Sequence, residues 1–154
     1  VIIEALTDNK NRTASNIRTI FHKNGGNLGS SGVASHQFKQ VGVIRIHKNE
    51  ISDNDILELA ISGGAEDCSS NSSFHEIIMA KENFYKVKVE IEKIVQNFIS
   101  SGIEWLPINK ISLDQEKTKS VLNFLEILED DDDVQYVYAN LEIDNKLISK
   151  STNT

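Results

Sequence analysis

At 154 residues, 39% hydrophobic and 25% charged, the chain has the size and composition of one ordinary globular domain or two small ones, which excludes a disordered tail or a fibre. No apolar run approaches the roughly 20 residues of a membrane helix, and no signal-peptide pattern opens the chain, so a cytoplasmic protein without a membrane partner is expected. The net charge is −7, and Cys68, the single cysteine, leaves no internal disulfide and no cysteine metal cluster.

"VIIEALT", at residues 1–7, has the β-branched content of a buried strand already under way at Val1, so a further segment is expected upstream. "DNKNRT" supplies turn formers, and Thr13 is placed to cap a helix. In that helix Ala14, Ile17, Ile20 and Phe21 share one face, with Arg18 and His22 on another; "NGG" then ends it, because Asn and Gly tolerate a left-handed C-cap. Beyond the polar loop "NLGSSG", the segments "VASHQF" and "GVIRI" read as a hairpin or two adjacent strands with one wet face. Ser52 and Asp55 resemble a capping box, opening a helix with Ile56, Leu57, Ala60 and Ile61 inward and a stop at Gly63 and Gly64. "EDCSSNSSFHEIIMA" predicts strand, turn and strand. The spacing of Phe84, Val87, Ile91, Ile94, Val95 and Phe98 predicts the longest helix, running until Gly102. "IEWLPINKI" predicts a strand with Pro107 at an edge or a bulge. Asp114 caps a helix with Val121, Leu122, Leu125 and Leu128 inward, and "VQYVYANL" is a final alternating strand.

This order predicts an α+β fold of two interlocked ferredoxin-like βαββαβ units, antiparallel sheets with helices on one face. Residues 1–48 are completed by 112–141 as a discontinuous first domain. Residues 49–111 form the inserted second domain, and 142–154 a frayed tail.

Charge is divided along the chain. Residues 1–48 hold seven basic against two acidic side chains, a net of +5, while the remainder carries −12. Two surfaces with different partners are the natural reading. Lys10, Arg12, Arg18 and Lys23 cluster around one loop and one helix, the footprint of phosphate contact, with Asn9, Asn11 and Asn27 as neutral hydrogen-bonding residues beside them. Phe21 and Phe38 have core spacing, so aromatic interleaving is poor and a single-strand stacking platform is disfavoured. The glycines Gly25, Gly26 and Gly29 follow a helix instead of preceding one, which argues against a phosphate-binding P-loop; a helix cap, or close approach of a nucleic-acid backbone, remains. Asp130, Asp131, Asp132 and Asp133 form an acidic run that reads as a solvated loop, as a divalent-cation site if ligands converge from elsewhere, or as a contact for a basic protein. His22, His36, His47 and His75 are scattered without metal spacing, and no nucleophile motif is present, so no catalytic residue, metal or cofactor is indicated.

"LTDNKNRT", "NGGNLG", "GAED" and "FLEILEDDDDVQYVYAN" together, in this order and spacing, resemble the YebC family, whose mitochondrial members include the translational activator of cytochrome c oxidase subunit I. The resemblance implies a cytoplasmic protein of three domains, the missing one helical and N-terminal, and a non-catalytic role as a DNA-binding transcriptional regulator or a ribosome-associated translation factor. It also implies a motif loop of Thr7, Asp8, Asn9, Asn11, Arg12 and Thr13 and a glycine loop of Gly25, Gly26, Asn27 and Gly29. His36 departs from the family's usual aromatic residue. The expected partner is DNA, ribosomal RNA or the ribosome; the alternative is a protein-interaction module whose acidic half docks on basic ribosomal or polymerase proteins while a missing N-terminal domain binds nucleic acid. Oligomeric state is open.

Overall fold

A computed structural model describes residues 1–142. They form strands β1 (Ile2–Ala5), β2 (Phe38–His47), β3 (Asp67–Ser70), β4 (Phe74–Ala80), β5 (Phe98–Pro107) and β6 (Val134–Tyr138). The helices are α1 (Lys10–Lys23), α2 (Asp53–Gly63), α3 (Phe84–Glu92) and α4 (Gln115–Glu129). The architecture is α+β with antiparallel strand pairs, as expected. None of these helices is long and apolar enough to cross a membrane. The predicted tail lies outside the described residues except at Glu142, which is tied down: its N–H donates to the Ile111 carbonyl at 2.9 Å and its carboxylate accepts from Ser112 at 2.7 Å.

The chain divides into two compact units, Val1–Lys39 with the chain from Pro107 onward, and Gln40–Leu106. Within the second unit lies most of β2. It pairs antiparallel with β4 from Val41↔Ala80 to His47↔Phe74, so one unbroken strand stands where two short ones are predicted. Only a 3-10 turn, Ser35–Gln37, precedes it. Gly42 is no turn glycine: a Cβ there would run into Met79 and come within 2.9 Å of the Phe84 ring, so close packing under α3 requires its absence.

The Gln40–Leu106 unit runs β2-α2-β3-β4-α3-β5 with strands in the order β3-β4-β2-β5, the split-βαβ arrangement of ferredoxin-like folds. Alternation along β2 and β4 sends Ile44, Ile46, Ile77 and Met79 into one core with Ile56, Ala60, Phe84, Val87 and Ile91 of the two helices. Ser52 caps α2 as predicted, its Oγ accepting from the Asp55 N–H at 3.1 Å. The buried stripe of α2 is Ile56, Ala60 and Gly63, however, and Leu57 and Ile61 face solvent at 43% and 69% exposure. Gly63 faces Val87 of α3, where an added Cβ would make ordinary contact at 3.6 Å. Helix α3 stops at Glu92, short of the predicted end; Val95 remains buried in the turn that follows, and Phe98 already opens β5.

In the other unit β1 and β6 pair antiparallel, with Ile2↔Tyr138, Ile3↔Val137 and Glu4↔Tyr136 and an irregularity at Ala5. Ile3, Val134 and Val137 pack onto Ile17 and Phe21 of α1 and Leu128 of α4, so both helices cover the same face of this small sheet. Phe21 meets Phe124 edge to face at 4.9 Å. Asp114 caps α4 through the Lys117 N–H at 2.8 Å, again as predicted.

Candidate nucleic-acid interface

Helix α1 reads KNRTASNIRTIFHK, with Lys10, Arg12, Arg18 and Lys23 and no acid. Its apolar stripe, Ile17 and Phe21 with Ile20 at its edge, is turned to the core, which leaves Asn11, Ser15, Arg18 and His22 in one outward row and Arg12, Asn16, Thr19 and Lys23 in a neighbouring one. Lys10, Arg18 and Lys23 are exposed, and no carboxylate among the described residues pairs with them. Two cations in the first turn oppose the helix dipole, whereas His22 and Lys23 in the last turn favour it.

The N-cap is Asn9, whose Oδ1 accepts from the Arg12 N–H at 3.1 Å. Thr13, the expected cap, lies inside the helix and is buried. Its hydroxyl is 2.7 Å from Asp133 Oδ2, 2.7 Å from Thr7 Oγ1 and 3.1 Å from the Asn9 carbonyl. One hydroxyl hydrogen serves one acceptor, and the carboxylate is the strongest. Thr13 therefore donates to Asp133, Thr7 donates to Thr13, and the Asn9 N–H donates to Thr7 at 3.0 Å. Arg12 closes the clasp, its Nη2 3.1 Å from Asp8 and 3.7 Å from Asp133, and the Leu6 N–H donates to the Asp133 carbonyl at 2.8 Å.

The far end of α1 is a Schellman cap. Gly25, at φ +79°, occupies the left-handed position; its N–H donates to His22 and that of Gly26 to the Phe21 carbonyl at 2.8 Å. Asn27 is exposed beyond it, while Leu28 packs back onto the core. Gly29 abuts the Val33 side chain.

Of the sequence-predicted residues, the fold gathers Lys10, Asn11, Arg18 and Lys23 on one solvent-facing helix with Asn27 just past its end. Asn9 and Arg12 are committed to the clasp, Asn9 as cap and Arg12 as ion pair. Gly25 and Gly26 are accounted for by the helix terminus. Within the acidic run, Asp130 ends α4 and is exposed, as is Asp132, and Asp131 Oδ1 accepts from the Asp133 N–H at 3.0 Å. Asp133 is turned inward. Thr13 and Asp133, 120 residues apart, are the contact missed in the sequence; the clue was a threonine four residues before Ile17, on the buried stripe of its own helix.

The remaining chemistry-bearing residues are satisfied structurally. His75 is fully buried between the Ser70 hydroxyl at 2.6 Å and the Ile51 carbonyl at 2.8 Å. A carbonyl only accepts, so Nε2 carries the proton and Nδ1 accepts from Ser70. Burial, then Asp67 and Asp53, pushes the Cys68 thiol above its usual range, away from nucleophilic use. No group of three metal-binding side chains occurs among the described residues.

Residues 1–141 match the family model described as the second and third domain of TACO1/YebC. The chain belongs to the TACO1/YebC family. A "Probable transcriptional regulatory protein" of Pelagibacter ubique (strain HTCC1062) is 57% identical over 145 residues, covering 94% of this chain and 60% of the relative. The crystal structure of a conserved hypothetical protein of Aquifex aeolicus is similar at a TM-score of 0.83 and 41% identity, over 93% of this chain and 59% of that one. The chain thus spans about three-fifths of each of these relatives. In this TACO1/YebC chain two of the motifs that carry the resemblance, "LTDNKNRT" and "EDDDDVQYVYAN", meet in space at Thr13 and Asp133. Part of what those motifs encode is architecture.

Proposed function

We propose that this chain is the nucleic-acid-binding part of a regulatory factor of gene expression, a transcriptional regulator or a ribosome-associated translation factor, working by binding without chemistry in the cytoplasm. The observation that supports it is α1: four cations and no acid on one exposed helix of a chain whose net charge is −7. Lys10, Arg18 and Lys23 contact phosphates, Asn11 and Asn27 add neutral hydrogen bonds that fix the pose, and Arg12 contributes charge while holding the clasp. The printed name of the Pelagibacter relative agrees with a regulatory role.

The test is binding to duplex DNA and to ribosomes, side by side, across a salt series. Each of Arg18→Ala and Lys23→Ala is expected to lower the salt slope by about 1 while weakening binding uniformly across sequences. An unchanged slope in both removes α1 from the interface. In the second reading the acidic residues dock on a basic protein; Asp130 and Asp132, exposed at the end of α4, are the positions for it, and charge reversal there then abolishes ribosome binding while leaving the α1 variants silent.

A further inference from the structure

Away from the basic helix, the Gln40–Leu106 unit sets one exposed hydroxyl on one buried imidazole. Ser70, the last residue of β3, and His75, near the start of β4, are partners in register across the serine-rich turn. The Ser70 Oγ lies 2.6 Å from His75 Nδ1, and His75 Nε2 lies 2.8 Å from the Ile51 carbonyl. Because that carbonyl accepts from the Nε2–H, Nδ1 is left as an acceptor aimed at Ser70. His75 is fully buried, whereas Ser70 is exposed. The base is therefore shielded from water while the hydroxyl is open to a reagent. Asp53, at the first position of α2, sets its Oδ1 3.7 Å from the same Nδ1. A hydrogen bond from Lys48 holds the Asp53 carboxyl below the usual carboxylate range. An imidazolium formed by proton transfer from Ser70 is flanked by a carbonyl and an anion, which offset part of the cost of its burial.

We propose that Ser70 is a nucleophilic modification site that takes an acyl group from an activated ester, with His75 as its general base. The constellation is a nucleophile, a base and a group that orients the base, each within hydrogen-bond reach of the next. The Ser70 Oγ bonds to the carbonyl carbon while its proton moves to His75 Nδ1. The bond to the leaving alcohol then breaks, and the leaving oxygen takes that proton. The products are an acyl ester of Ser70 and the free alcohol, with His75 neutral again. A donor with a good leaving group needs little help with the developing oxyanion, so the chemistry is a single covalent event on the chain and not turnover. It lies in a different unit from α1 and does not depend on the nucleic-acid reading.

The experiment treats the chain with p-nitrophenyl acetate at neutral pH and maps the acetyl groups by mass spectrometry of the peptide 49–81, which carries Ser70 together with Ser69, Ser72 and Ser73. All four serines are exposed, so the other three report the rate of an unassisted hydroxyl. Ser70 is expected to acylate roughly a hundredfold faster than they do, the scale of general-base assistance. Ser70→Ala should remove the fast phase of p-nitrophenol release, and His75→Gln should bring Ser70 down to the rate of its neighbours. If His75→Gln does not fold, the comparison of the four serines in the unmodified chain decides. Cys68→Ala should leave the Ser70 rate unchanged; loss of the Ser70 adduct in that variant would assign the nucleophile to the thiol and overturn the proposal. Acylation of Ser70 no faster than of Ser69, Ser72 and Ser73, or a fast phase that survives Ser70→Ala, overturns it equally.

Discussion

Thr13 is one hydroxyl on which the entry into α1 depends. At 3% exposure it joins the Asp133 carboxylate to the loop through Thr7 and Asn9, and no other donor in the clasp is both neutral and buried. Thr13→Val keeps the shape and deletes the donor, leaving a largely enclosed carboxylate with Arg12 as its remaining side-chain partner. Urea denaturation is expected to show a loss of about 1–3 kcal/mol, with Thr13→Ser recovering most of it. A Thr13→Val chain as stable as the original would mean that water or Arg12 satisfies Asp133 equally well. Little of this was legible in the sequence. Threonine is a common N-cap, and local rules therefore place it there; only the long-range approach of Asp133 makes the buried helical position favourable.

At the scale of elements, the parts governed by local chemistry were legible: the Ser52 and Asp114 caps, the Asn-Gly-Gly stop of α1 and the serine-rich turn between β3 and β4. Elements decided by packing were not. The buried stripe of α2 and the end of α3 answer to the core they pack against, and β2 passes through Gly42 beside Met79 and Phe84, where a Cβ has no room. The same sheet shows what joins its strands on the face away from those helices. Arg45 of β2 donates to Glu76 of β4 at 2.9 Å and to Glu104 of β5 at 2.8 Å, with all three side chains about a quarter exposed. Burial works against the Arg45 charge, but the hydrogen bonds and charges of Glu104 and Glu76 outweigh it and hold the guanidinium more firmly protonated than usual. Arg45→Met leaves two carboxylates without their shared cation. Its unfolding free energy should fall by about 2 kcal/mol at neutral pH, less than for fully buried pairs. Urea denaturation of Arg45→Met beside Arg45→Lys checks this, and an equal deficit in both would show that the charge is not what Arg45 contributes.

Across the whole molecule, charge and core are distributed in opposite ways. The unit with the basic helix has a small buried cluster, Ile17, Phe21 and Leu128 with partly buried neighbours, whereas the Gln40–Leu106 unit encloses eleven buried residues between a four-stranded sheet and two helices. Local opening free energy follows buried apolar contact, so the two units should differ in protection. Hydrogen exchange is expected to be slowest at the amides shared by β2 and β4 and clearly faster in β1 and β6, which have one partner strand each. Residues 38–107, which keep β2 and β5 whole, should fold when expressed alone and unfold cooperatively in urea, although a segment of that size is close to the lower limit for an independent core. Uniform protection across both units would mean that they unfold as one. The functional consequence follows from the same asymmetry. A basic helix anchored through a clasp and a cap on a lightly packed unit can adjust to a nucleic-acid backbone at small cost, so bound nucleic acid should slow exchange in α1, β1 and β6 more than in β2 and β4.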